Sequence, residues 1–137
     1  PYMREGGRKY SSHWVTSPMK HIQASCRTCH TQDENLLLER VKIIQNNVFQ
    51  LQRIAGLTIA RAHEVIGKAD TGAKVNKEGL EKARELVRHA QWFWDFIAAE
   101  NSMGFHNPDQ AQNVLGRSID LAHQAIDAAN RAAGTNY

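Results

Sequence analysis

Apolar residues recur at alternating spacings of four and three along most of the chain that follows residue 33. The first such stretch, from Asp33 to Gly67, predicts one helix about 50 Å long. A seam sustained over this length is typical of a helix that packs against partner helices. Its positions are Leu37, Val41, Ile44, Val48, Leu51, Ala55, Thr58, Ala62 and Val65.

Two further stretches with the same spacing predict two more long helices. Asn76 is a good N-cap for a helix that extends to about Asn101, and the pair Asn107-Pro108 starts a third helix with an N-cap followed by proline. Asp70-Thr-Gly72 marks a turn, and the short connections predict antiparallel neighbours. The two seams are Leu80, Ala83, Val87, Ala90, Trp94 and Ile97, then Ala111, Leu115, Ser118, Ala122, Ala125, Ala129 and Ala132.

The N-terminal segment lacks this periodicity, and Gly6, Gly7 and Pro18 interrupt its backbone. We expect an irregular segment with one short turn of helix around Cys26. The sequence Thr31-Gln-Asp-Glu34 has the form of a capping box, which predicts the start of the first long helix. The predicted fold is all-α, with an irregular segment at residues 1–32. Residues 33–137 follow as three long antiparallel helices.

Composition and charge exclude several classes of protein. The 137 residues suffice for one small domain, with 42% apolar and 23% charged residues. The formal charge is only +3, and no cluster of Lys and Arg indicates binding to nucleic acid. No apolar run approaches the roughly 18 residues that a membrane span needs. The sequence lacks a signal peptide and starts at Pro1 rather than Met, so we expect a fragment of a longer protein.

Cys26-Arg-Thr-Cys29-His30 is the strongest chemical signal in the chain. This spacing is that of covalent haem c attachment, in which two thiols add to the haem vinyl groups and the adjacent histidine binds the iron. A zinc site would need two more ligands at comparable spacing, and a thioredoxin-like redox pair belongs in a βαβ context. Neither pattern is found. We therefore predict a haem c anchored by Cys26 and Cys29, with His30 as its proximal ligand.

The remaining histidines and two tryptophans carry weaker signals. His13 and His106 lie outside the predicted helix interiors, where a side chain can ligate iron or simply lie at the surface, and His21 has no distinguishing context. Histidines inside predicted helices are by default exposed or hydrogen-bonded, and these are His63, His89 and His123. Trp92 and Trp94 point to different helix faces, and core packing is favoured for both over packing beside a porphyrin.

Four runs of residues carry a resemblance to a known family. They are His13-Trp-Val-Thr-Ser-Pro18, Cys26-Arg-Thr-Cys-His-Thr-Gln32, Arg88-His-Ala-Gln-Trp92 and Gly104-Phe-His-Asn-Pro108. In order and spacing they resemble the C-terminal region of the cytochrome c nitrite reductases, periplasmic pentahaem enzymes that reduce nitrite to ammonium with six electrons. The opening run Pro1 to Gly7 resembles the stretch after the family's fourth haem motif. The chain would then contain the last haem motif and everything after it.

The resemblance implies a role for five residues. Cys26 and Cys29 would anchor the fifth haem, with His30 as its proximal ligand. His13 matches the distal ligand of the second haem, and His106 that of the fourth. The catalytic haem of the family is attached through a Cys-x-x-Cys-Lys motif, which this chain lacks. We therefore expect no catalytic residue in this segment, which alone should not reduce nitrite.

The resemblance also implies cofactors and partners. The longer protein would hold further haems, and calcium where the family uses it. The partners would be the remainder of the multihaem enzyme, a second copy docked through the long helices, and a redox donor protein or quinol-linked cytochrome. The expected location is the periplasm, without a transmembrane segment or nucleic acid. The alternatives are a free-standing monohaem c-type electron-transfer protein and a helical assembly fragment with an empty haem site.

Overall fold

The computed structural model describes residues 2–11, 13 and 15–135 and confirms the all-α fold class. Three long helices dominate it: α1 is Glu34–Asp70, α2 is Lys77–Ala99 and α3 is Pro108–Ala133. Two strands, β1 at Tyr2–Glu5 and β2 at Arg8–Ser11, and two short 3-10 helices, at Pro18–Lys20 and Cys26–Thr28, precede them. The chain divides into two compact units, residues 1–43 and 44–137, with the boundary inside α1.

The strands form an antiparallel hairpin that the sequence pattern did not predict. Met3 pairs with Tyr10 and Glu5 with Arg8, and the connection is Gly6-Gly7. Both glycines have positive φ, 55° and 81°, as a two-residue hairpin turn requires. The described side chains of this hairpin are exposed, so no alternation of apolar and polar residues marks it.

Within residues 44–137 the helices form an antiparallel three-helix bundle, as predicted. The backbone N–H of Asn76, which precedes α2, donates to the carbonyl of Ala132 near the end of α3, at 2.9 Å. Midway, the Ser118 hydroxyl donates to the Ala90 carbonyl at 2.8 Å. The Trp94 indole N–H donates to the carbonyl of Gln52 in α1, also at 2.8 Å. These bonds fix the register of α2 against both neighbours.

The core of the bundle follows the predicted seams of α2 and α3. Every seam position of these two helices is buried except Trp94, which is half-buried. Small residues let the helices approach closely: an added Cβ on Gly79 would lie 3.2 Å from the Cβ of Ala132. The last turns of α1 join the same core through Ile59, Ala62, Val65, Ile66 and Ala69.

The helix ends confirm two predicted caps and correct a third. The Asn76 side chain accepts from the N–H groups of Glu78 and Gly79, and that of Asn107 accepts from Gln110. At the start of α1, however, the Asp33 carboxylate accepts from the Asn35 N–H at 2.8 Å, so the capping box predicted at Thr31 is wrong. Aspartate fills the capping role two residues later, because its short acceptor reaches the free N–H groups of the first turn equally well.

The exposed surface of the long helices is partly apolar. In the 44–70 part of α1, Ile54 and Leu57 lie three residues apart, with 52% and 63% of their surface exposed. Residues three apart are neighbours on one helix face. Nevertheless, no helix within the described residues combines the length and hydropathy needed to cross a membrane.

Candidate functional site

The two cysteines lie in a compact turn built from short-range backbone hydrogen bonds. The carbonyl of buried Ile22 accepts from the N–H groups of Cys26 and Arg27, at 2.9 and 3.0 Å. The carbonyl of Cys26 in turn accepts from Cys29 and His30, at 3.2 and 2.9 Å. The motif therefore folds as one turn of helix around Cys26, as predicted, and its conformation is set by residues adjacent in sequence.

Both thiols are free, and the groups next to them are hydroxyls. Cys26 is half-buried and Cys29 is exposed. The Ser25 hydroxyl lies 3.6 Å from the Cys26 sulfur, and that of Thr28 lies 3.8 Å from the Cys29 sulfur. His30 is exposed directly after the second thiol. Covalent haem attachment needs two accessible thiols for the thioether bonds and an adjacent imidazole to bind the iron. These residues therefore fit a haem c.

The described residues offer no competing metal centre. Nowhere in residues 2–11, 13 and 15–135 do three or more His, Cys, Asp or Glu side chains gather in a way that could hold a metal ion. Four-ligand zinc sites need such a cluster.

The other histidines of the first 43 residues differ in their surroundings. His13 is exposed and lies outside regular structure, while its neighbours Ser12 and Trp14 lie outside the described residues. His21 is half-buried at the end of the first 3-10 helix, and its carbonyl accepts from the N–H and the hydroxyl of Ser25. The backbone of His21 thus supports the cysteine turn. The structure places His13 where its imidazole is accessible.

His106 ends a tight turn that connects α2 to α3. In this turn Met103 and Gly104 have positive φ, 55° and 78°. Gly104 is buried against α1: an added Cβ would lie 2.6 Å from a methyl group of Val48. Only glycine fits this position without displacing Val48. The side chain of His106 itself is 71% exposed.

Ser102 joins this turn to the rest of the bundle. It is 9% exposed, and its hydroxyl accepts from the His106 backbone N–H at 2.9 Å. Its carbonyl accepts from the Gln45 side-chain amide at 3.0 Å, and its N–H donates to the Glu100 carboxylate at 2.8 Å. The backbone of His106 is therefore held by hydrogen bonds that reach back to α1.

Within the described residues, the carboxylate that hydrogen-bonds to this turn is that of Glu100. One oxygen accepts from the Gly104 N–H at 2.8 Å, and the other lies 3.3 Å from Nδ1 of His106. Partial burial by itself would raise the pKa of Glu100. Hydrogen bonds from Ser102 and Gly104, together with the nearby imidazole of His106, outweigh burial and hold that pKa below its usual value. The carboxylate is thus kept ionised beside His106.

The two tryptophans of α2 have different environments. Trp94 packs into the core, as predicted. Its indole N–H donates to the carbonyl of Gln52. The prediction of core packing is wrong for Trp92, which is 60% exposed and stacks on Phe96 with ring centroids 5.7 Å apart. Its position on α2 points it away from the seam, where the rings of Phe93 and Phe96 contact it. The three helical histidines are exposed, in agreement with the default expected of them, and these are His63, His89 and His123.

Glu100 and Ser102 were missed by the sequence analysis. They lie in the short connection Glu100-Asn-Ser-Met-Gly104, which has no metal-ligand or catalytic spacing. Ser102 contacts Gln45 and His106, and Glu100 contacts His106. Gln45 lies far from Ser102 in sequence, so a contact between them could not be predicted. A weak signal was available, since a ligand histidine generally donates its second N–H to an acceptor, and a glutamate six residues earlier in the chain could supply one.

Comparison with known proteins identifies relatives of the whole chain. The sequence profile of the cytochrome c552 family matches residues 1–136. The cytochrome c nitrite reductase subunit NrfA of Nitratidesulfovibrio vulgaris is 40% identical over 131 residues, which cover 91% of this chain and 25% of that protein. Cytochrome c-552 of Parabacteroides distasonis is 36% identical over 126 residues, with the same coverage.

A solved structure gives the same result for the fold. The catalytic subunit NrfA of cytochrome c nitrite reductase from Desulfovibrio desulfuricans superimposes with a TM-score of 0.87 at 39% identity, over 97% of this chain and 29% of that one. The catalytic subunit in that structure has two calcium sites. The chain thus spans about a quarter of the length of the curated relatives that it matches.

Proposed function

This chain belongs to the cytochrome c552 family, and from that premise we propose that it is the C-terminal part of an ammonia-forming cytochrome c nitrite reductase. The observation that carries the proposal is the turn at Cys26–His30, with two free thiols and an accessible imidazole. Identity of 40% to a nitrite reductase subunit over 91% of the chain supports the same conclusion.

In this proposal Cys26 and Cys29 form the thioether bonds of one haem c, and His30 is its proximal ligand. The haem supplies one-electron transfer when bound. The chain's own residues hold it in place: the Ile22 carbonyl fixes the start of the turn, and the Cys26 carbonyl fixes the backbone of Cys29 and His30. The hydroxyls of Ser25 and Thr28 lie close enough to the two sulfurs to interact with them. The catalytic residues lie in the remainder of the enzyme.

His13 and His106 are proposed to bind the iron of haems attached elsewhere in the longer protein. Both side chains are exposed and lie outside helices, so each is accessible to a group supplied from outside this segment. For His106, Nδ1 faces Glu100, which leaves Nε2 as the nitrogen available to iron. Residues 1–32 would thus act as the haem attachment segment, and residues 33–137 as the helical and ligand-supplying region.

We propose further that the long helices form the interface of a homodimer in the periplasm. Ile54 and Leu57 are exposed side by side on α1, and an apolar stripe on a long helix is typical of helix–helix association. The electron donor would be a redox protein or quinol-linked cytochrome. Calcium, where the enzyme uses it, would bind in the remainder of the longer protein.

The experiment uses the full-length protein, expressed with c-type haem maturation. We expect it to produce ammonium from nitrite with an artificial reductant. Replacing both Cys26 and Cys29 by Ser should remove one haem and lower this activity, because the relay loses one site. Thr31→Ala, beside the motif, is the matched control and should retain full haem content. A full-length protein that holds one haem and leaves nitrite unreduced would support the monohaem electron carrier instead.

A further inference from the structure

The turn between α2 and α3 contains a carboxylate that is placed to act on His106. Glu100 is the C-cap residue of α2, directly after Ala99. Its two carboxylate oxygens accept from the N–H groups of Ser102 and Gly104, both at 2.8 Å. These two bonds fix the orientation of the carboxylate on the turn. The oxygen that Ser102 contacts is also 3.3 Å from Nδ1 of His106, which is within ion-pair distance.

Hydrogen bonds and backbone geometry of the turn place the main chain of His106 near Glu100. The hydroxyl of Ser102 accepts from the His106 N–H, and the positive φ of Gly104 reverses the chain so that His106 returns towards Glu100. Val48 of α1 fills the space beside Gly104. The carboxylate of Glu100 and the backbone of His106 are thus held by the same turn, which places the imidazole within reach of the carboxylate.

We infer that Glu100 is a positioning residue for His106, accepting a hydrogen bond from Nδ1–H when Nε2 binds haem iron. The inference rests on the proposed role of His106 as an axial ligand. A neutral imidazole carries one N–H, and an acceptor at Nδ1 selects the tautomer whose Nε2 lone pair is free. Histidine ligands generally have such an outer partner, which also raises their basicity.

This partner has a consequence for the haem that His106 would bind. A carboxylate at Nδ1 increases electron donation by the ring, which stabilises the ferric over the ferrous state and lowers the reduction potential. The potential of one haem would therefore be tuned by a residue six positions before its ligand. Glu100 would act on this haem through its contact with His106.

The test uses the full-length holoprotein with two single variants. Glu100→Gln keeps the size of the side chain and removes its charge. Asp109→Asn removes a charge from an exposed side chain in the first turn of α3, close in sequence to His106, and is the matched control. The measurement is a potentiometric titration in which electron paramagnetic resonance resolves the individual haems.

We expect Glu100→Gln to leave the spin state of every haem as it is in the unmodified protein and to favour the reduced form of one haem about tenfold, which is about 59 mV for a one-electron couple. Asp109→Asn should shift that haem much less. Equal shifts in the two variants would overturn the inference, since they would reflect net charge alone. A low-spin haem that becomes high-spin in Glu100→Gln would also overturn it, because the carboxylate would then be needed to fold the turn and not to tune the bound ligand.

A third variant separates this inference from the proposed function. His106→Ala removes the ligand itself, so one haem should lose its low-spin signal. If no haem changes its spin state in His106→Ala, His106 is not an axial ligand and the proposed function fails at that residue. If only His106→Ala has an effect and Glu100→Gln matches the unmodified protein, the ligand role stands and the positioning role fails.

Discussion

The chain supports its two candidate iron-binding regions in opposite ways. The turn at Cys26–His30 is held by groups between Ser17 and His30, all close in sequence. The turn at Glu100–Asn107 is held by Gln45 and Val48, more than fifty residues earlier. The first is a local structure that displays reactive thiols, and the second is a product of the folded bundle. Covalent attachment suits the former, since the bond itself then holds the cofactor, whereas a ligand for a distant haem needs a rigid mount.

Gly104→Ala should have the largest effect, and it tests the dependence of the second turn on the bundle. The new methyl group would clash with Val48 in a backbone conformation with φ 78°. We expect a loss of about 2–4 kcal/mol in the free energy of local opening. Hydrogen exchange of amides in residues 44–107 of the full-length protein measures it.

The control for this change is Gly116→Ala. Gly116 lies in α3 with nothing within 4 Å of an added Cβ. Alanine there should be neutral or stabilising by about 0.5–1 kcal/mol, because glycine lowers helix stability. Equal loss of protection in both variants would mean that the turn does not depend on contact with Val48.

Ser102→Ala should have an intermediate effect on the same turn. It removes the acceptor of the His106 backbone N–H in a residue that is 9% exposed. We expect a cost of about 1–2 kcal/mol by the same exchange measurement, because a nearly buried donor loses its partner. Thr58→Ala removes a hydroxyl that bonds within α1 at an exposed site and should cost less than about 0.5 kcal/mol. Protection unchanged in Ser102→Ala would contradict the role given to this hydroxyl.

Ser25→Ala should have the smallest effect. It tests whether the turn at Cys26–His30, unlike the turn at Glu100–Asn107, is supported by local contacts alone. The Ser25 hydroxyl donates to the carbonyls of Pro18 and His21, at 3.1 and 2.8 Å. Because these contacts are local, we expect faster exchange only in residues 17–30 and no change in residues 44–135. Haem content should stay the same. Loss of protection in the bundle would show that the cysteine turn is coupled to it.

The same contrast explains what the sequence allowed us to predict. Helices α2 and α3, their seams and the caps at Asn76 and Asn107 follow from local periodicity and short-range hydrogen bonds, and the structure confirms them. The haem motif is also local and was recognised from five adjacent residues. The hairpin escaped prediction because its described side chains are exposed and only Gly6-Gly7 marks its turn.

The residues that support His106 could not be predicted in this way. Ser102 and Glu100 have ordinary sequence surroundings, and their roles depend on how the bundle brings Gln45 and Val48 to the turn. Trp92 was assigned to the core because tryptophan is usually packed, although its position off the α2 seam leaves it 60% exposed. Periodicity identifies the buried face of a helix, but it does not say what covers the opposite face.

Peptide mapping of the full-length holoprotein tests the central claim most directly. The protein is digested with pepsin under denaturing conditions, and the mass of the peptide that contains Cys26 and Cys29 is measured. We predict that this peptide carries one haem, bound through both sulfurs. A peptide that contains the two cysteines as free thiols or as a disulfide, without haem, would contradict the account.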